Sequence, residues 1–140
     1  MGIRNFRERV YQAVSCELGG ILVAAPIYAM FANAGAQESL LLIIALSVVA
    51  TVWVLIHNAV FDVVEWRLTR RSASDRPQAM RVLHAISLEV TLTVLTVPVV
   101  MIIGGHGFLT ALALDIGLTF VYLIYAYLFH MAYDLVRPVR

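Results

Sequence analysis

Glu17 and Glu89 stand in stretches otherwise rich in Val, Leu, Ile and Ala, each eight residues beyond an arginine, Arg9 and Arg81. On a helix that spacing carries each carboxyl about 12 Å past its arginine. An ionised carboxylate in an apolar medium costs several kcal/mol unless it faces water, a polar interior or a counter-charge. The pair therefore reads as a candidate functional site. Trp53, His57, Asn58, Phe61 and Asp62 share one helical face, and Tyr122, Tyr125, Phe129, Tyr133 and Asp134 share another. Counted inward from Arg67 and Arg137, His57, Asn58 and His130 reach about the depth of the glutamates. Aromatic rings beside carboxylates suit an organic cation through charge pairing and cation–π attraction.

Each feature also has a plainer account. A glutamate can be an interfacial group or a partner for an arginine on a neighbouring helix, although two at matching positions favour the functional account. Trp66 and Tyr28 read as members of an interfacial aromatic belt, and Asp62 and Asp134 as partners of nearby arginines. Asp115, which has no acidic counterpart, reads as a residue lining an exit path. The histidines form no ligand-spaced pair on one helix and Cys16 stands alone, so no haem, metal or other cofactor is expected. Cys16 is expected to pack.

The elements that must position these residues follow from composition. The chain has 140 residues, 61% hydrophobic and 14% charged, with a mean hydropathy of +0.87. Soluble domains carry about 25% charged residues, and a chain this short buries only about two-thirds of its surface, so the excess apolar surface must face lipid. Four stretches, 10–31, 40–64, 82–103 and 109–136, each meet the about 20 residues that a bilayer-spanning helix needs. The expected fold is all-α and membrane-embedded. The first stretch is too long for a signal peptide, contains Glu17, and leads to no cleavage site.

Shifted by 72 residues, the sequence aligns with itself without a gap. Arg9 falls on Arg81, Ser15 on Ser87, Glu17 on Glu89, Pro26 on Pro98, Gly35 on Gly107, Trp53 on Tyr125 and Asp62 on Asp134. Two tandem, parallel hairpins are expected, at 1–66 and 81–140, joined by an arginine-rich cytoplasmic linker at 67–80 and related by an axis along the membrane normal. All ten basic residues are arginines. Arg4, Arg7 and Arg9 precede the first helix; Arg67, Arg70, Arg71, Arg76 and Arg81 lie between the second and third; Arg137 and Arg140 follow the fourth, and the loops at 32–39 and 104–108 have none. The positive-inside rule then puts both termini in the cytoplasm, and a net charge of +1 gives no reason to expect nucleic acid.

The joint pattern resembles the proteobacterial antimicrobial compound efflux (PACE) family, small four-helix inner-membrane transporters built from two bacterial transmembrane pair domains. The family's first-helix motif, Arg-x-x-His-x-x-x-Phe-Glu, is met by Arg9 and Glu17, with Gln12 and Cys16 departing, and in the second copy by Arg81, His84 and Glu89, with Leu88 departing. Its second-helix motif, Trp-Asn-x-x-(Tyr/Phe)-Asn-x-x-Phe-Asp, is met by Trp53, Asn58, Phe61 and Asp62, with Val54 and His57 departing. Its fourth-helix aromatic series ending in Tyr-Asp is met by Tyr125, Phe129, Tyr133 and Asp134.

The resemblance implies a secondary transporter and not an enzyme: a proton-coupled antiporter exporting cationic biocides such as chlorhexidine or acriflavine, or short-chain diamines, with Glu17 as its essential acid. Cation and proton would compete for Glu17, Glu89 would assist, and a homodimer would complete the pathway. Three rivals stand beside this. A small multidrug resistance exporter is disfavoured by the duplication and the arginine bias. A non-transporting membrane scaffold would use the glutamates for helix assembly. A redox enzyme would need an absorbing cofactor.

Overall fold

The two short turns of the chain carry the same backbone conformation at positions 72 residues apart. Asn33 and Gly105 adopt left-handed φ values of 51° and 68°, a region that Gly and Asn enter at least cost. Two residues on, Gly35 and Gly107 are extended (φ −65°, ψ 154° and φ −68°, ψ 164°) and start the next helix. The duplication seen in side-chain identity is thus repeated in the backbone.

These turns belong to a computed structural model that describes residues 6–71 and 75–137. It consists of four helices: α1 (Phe6–Ala32), α2 (Ala36–Thr69), α3 (Gln78–Gly104) and α4 (Phe108–Val136). Arg4 and Arg140, two of the arginines in the topology argument, lie outside the described residues. No strand occurs among the described residues, and all four helices are long and apolar enough to cross a membrane. Each runs past the end of at least one apolar stretch, because residues such as Arg67, Leu68 and Gln78 are good helix formers that extend the helix without extending the hydrophobic signal.

Each helix packs against two others: α1 on α2 and α4, and α3 on α2 and α4. The bundle is a closed ring. Its buried core, Ala24, Ala25, Tyr28, Leu42, Ile43, Val97, Val100 and Ala111, gathers at the end that carries the two short turns. Leu22, Val48, Val94, Ile102 and Phe120 point outward and exposed, as a lipid-facing surface requires.

Tyr28 corrects one expectation. It is not part of an interfacial belt but 2% exposed, and its hydroxyl shares a hydrogen bond with His106 Nε2 at 2.8 Å. Small size at Gly104 permits this, since a Cβ there would lie 2.6 Å from the Tyr28 oxygen. Trp66 remains half exposed.

At the opposite end, Arg76 reaches back from the linker to α2. Its guanidinium contacts Asp62 at 2.5 Å and the buried Glu65 at 2.6 Å, and lies 5.0 Å from the centre of the Phe61 ring. Hydrogen bonding to Glu65 first, then to Asp62, keeps Arg76 charged to a higher pH than usual. Glu8 does the same for Arg137, at 3.1 Å. A base whose folded-state pKa is raised contributes stability that is fully present below its unfolded pKa and lost only as pH rises through the folded one. Neither contact is therefore weakened by mildly alkaline conditions.

Candidate functional site

Midway along the bundle, α1 and α3 place Glu17 and Glu89 on the wall of one cavity of about 540 Å³. Most of its lining is aliphatic, and its other polar side chains are Ser47, Thr51, Thr96, Asp115, Thr119 and Tyr122. No basic side chain lines it among the described residues. Two carboxylates that share an apolar chamber need hydrogen-bond donors, protons or cations to be accommodated.

Donors are supplied by hydroxyls at repeat-related positions. Ser47 Oγ donates to Glu17 Oε1, and Thr119 Oγ1 donates to Glu89 Oε1 at 3.2 Å. Ser47 and Thr119 are 72 residues apart, as are the acids they serve. The two cradles are copies of one another.

They are not identical copies. Tyr122 donates from its hydroxyl to Glu17 Oε2 at 2.7 Å, whereas the position equivalent to Tyr122 is Ala50, which has no donor to offer Glu89. Gly20 makes room for the ring, because a Cβ there would lie 2.6 Å from Tyr122 Cε2. The residue equivalent to Gly20 is Leu92. Large and small side chains have exchanged places between the halves.

The other residues singled out by sequence lie nearer the linker end, and none of them lines the cavity. Between α2 and α3, Trp53 Nε1 donates to Thr91 Oγ1 at 2.9 Å, His57 Nε2 to Ser87 Oγ at 3.1 Å, and His84 Nε2 to Asn58 Oδ1 at 2.9 Å. The Phe61 ring packs edge-on against His84 with centroids 4.7 Å apart. Asp62 meets Arg76 as described above.

Between α4 and α1, Tyr125 donates to the Cys16 carbonyl at 2.9 Å, Gln12 Nε2 to His130 Nδ1 at 2.9 Å, and Tyr133 to Glu8 Oε1 at 2.8 Å. Phe129 lies between Tyr125 and Tyr133 in the same row, and Asp134 follows in the last turn of α4. Cys16 itself is buried.

These two rows also mirror each other. Gln12 and His130 are the repeat equivalents of His84 and Asn58, so each row carries one amide bonded to one imidazole, with the partners exchanged between helices. Gln12, a departure from the first-helix motif when read alone, keeps the same interhelical contact in the folded chain.

Sequence reasoning passed over Ser47, Thr96 and Thr119 as cavity residues, and placed Tyr122 only in an aromatic series. The signal that would have found the hydroxyls is the repeat itself. Ser47 and Thr119 each lie thirty residues beyond their glutamate, one hairpin length away.

Comparison with known proteins extends this picture. A family model described as chlorhexidine efflux transporter matches residues 4–67 and, a second time, residues 76–139. A short-chain diamines transporter of Vibrio parahaemolyticus is 34% identical over 131 residues, covering 94% of this chain and 91% of that protein. Proteins of the same name from Acinetobacter baylyi (28% over 131 residues; 94% and 90% covered) and Acinetobacter baumannii (30% over 128 residues; 91% and 86% covered) are also similar. No solved structure matches.

Proposed function

The chain belongs to the chlorhexidine efflux transporter family, and from that premise we propose that it is a proton-coupled antiporter exporting organic cations across the bacterial inner membrane. Short-chain diamines are the first cargo to test, because its relatives bear that name; chlorhexidine, from the family's description, and acriflavine follow. The observation that carries this reading is a pair of repeat-related glutamates on one largely aliphatic cavity with no basic side chain in its lining among the described residues.

The cycle follows from charge balance. Deprotonated Glu17, held by Ser47 and Tyr122, binds a cationic substrate that enters from the cytoplasm. After the cavity has turned to the other side, a proton takes the substrate's place. Either occupant neutralises the buried charge, so neither conformation need carry it bare, and their differential binding biases the equilibrium between the two. Glu89 assists from the equivalent position. In this reading both termini and the 67–80 linker are cytoplasmic, 1–66 and 81–140 are the hairpin units, and two chains assemble as a homodimer.

The test is cation-driven proton release from proteoliposomes, with chlorhexidine and putrescine as probes and wild type, Glu17→Gln and Glu89→Gln compared. Release by wild type that disappears in Glu17→Gln and is reduced in Glu89→Gln is the expected result. Wild type indistinguishable from empty liposomes with both cations would turn the assignment toward a membrane scaffold.

A further inference from the structure

Asp115 occupies the same cavity as the two glutamates, and the antiport cycle above makes no use of it. The residue is 6% exposed and lines the wall together with Thr96 of α3. Thr119, one turn further along α4, lies within hydrogen-bonding distance of both Glu89 Oε1, at 3.2 Å, and the Asp115 carbonyl, at 3.1 Å. Asp115 thus stands one helical turn from the hydroxyl that serves Glu89, and both acids line the one cavity.

The first hairpin has nothing of the kind. The equivalents of Asp115 and Thr96 are Ile43 and Ala24, both on the same cavity wall. The chamber therefore presents one carboxylate from the first hairpin, Glu17, and two from the second, with aliphatic side chains such as Ile21, Leu46 and Leu118 in the rest of the lining. A single positive charge would satisfy one end of this arrangement and leave the other without a counter-charge, which is costly in a poorly solvated site. A molecule with an ammonium at each end of an apolar chain satisfies both ends.

We propose that Asp115 and Glu89 together form the subsite for the second ammonium of a dication, and that Asp115 thereby sets the preference for diamines over monoamines. The inference rests on the reading of Glu17 as the acid that binds the first ammonium. In this arrangement Glu17 is common to every cation carried, and Asp115 matters only to those with two charges.

The test is isothermal titration of the purified full chain with putrescine and with butylamine, which differ by one terminal ammonium. Asp115→Asn is expected to weaken putrescine binding at least about tenfold and butylamine binding less than about twofold, the contrast due to one charge-assisted contact. Asp115→Glu keeps the carboxylate and is expected to keep the preference for a diamine over a monoamine. If Asp115→Asn weakens both amines equally, or neither, the assignment of Asp115 fails, while the Glu17 reading stands provided Glu17→Gln weakens both. A wild type that binds neither amine overturns both readings. Should Asp115→Asn fail to fold, Asp115→Glu carries the test: its longer side chain is expected to move the optimum toward shorter diamines, and an unchanged optimum overturns the proposal.

Discussion

Glu17 accepts hydrogen bonds from two hydroxyls, those of Ser47 and Tyr122, where Glu89 accepts one from Thr119. A hydrogen bond to a charged group contributes about 1.5–3 kcal/mol. Tyr122→Phe, which removes the donor and leaves the ring in the Gly20 recess, is accordingly expected to raise the KM for cation at least about tenfold with maximal velocity less affected; transport at limiting and at saturating cation measures it. An unchanged KM would mean that Tyr122 only fills space. Glu17 and Glu89 themselves were legible in sequence because a carboxylate in an apolar run has no cheap explanation. Their hydroxyl partners were not, because Ser and Thr in apolar helices commonly bond to their own backbone, as Thr91 and Thr96 also do here. Asp115 was visible as an acid, but nothing in its local sequence indicated that it shared a chamber with Glu89.

Helices were legible from the length of their apolar stretches, and the two short turns from the gaps between them at 32–39 and 104–108. Helix ends were less so, since ordinary helix formers prolong a helix with no change in hydrophobic pattern. What could not be read along one strand of sequence was compensation between helices. Gln12 and His57 depart from the first- and second-helix patterns of the family, yet Gln12 bonds to His130 as Asn58 bonds to His84, a relation visible only once α1 lies beside α4. This predicts coupling. Gln12→His alone sets two imidazoles against each other; combined with His130→Asn it rebuilds in the first row the pairing found in the second. The double variant is expected to be more stable than the sum of the singles predicts by about 0.5–3 kcal/mol, read as thermal unfolding midpoints in detergent, and additive effects would show that the two side chains do not act as a pair.

At the scale of the whole molecule, the ring of helices has a tightly packed end at the short turns and a charged end at the linker. In the topology proposed above, the charged end faces the cytoplasm. With Cys16 replaced by Ser, a cysteine at Ala36, exposed beside the first turn, is expected to react with a membrane-impermeant maleimide on intact cells, and one at the exposed Arg71 only after lysis. The reverse pattern would invert the topology and with it the direction of transport assigned above. The four-helix, two-hairpin architecture was legible in full because both lipid exposure and duplication leave marks on every segment. The cavity was not, because its aliphatic lining has the same composition as the lipid-facing surface.

The exchange of Tyr122 for Ala50, and of Asp115 for Ile43, has a genealogical meaning. A pair of separate, identical hairpins would receive every substitution twice, so a tyrosine gained beside one glutamate would appear beside the other as well. Joining the two copies in a single gene removed that constraint and let each be selected on its own. The chamber of this protein, symmetric in its glutamates and hydroxyl cradles and asymmetric in Tyr122 and Asp115, shows both the likeness of its halves and their independence.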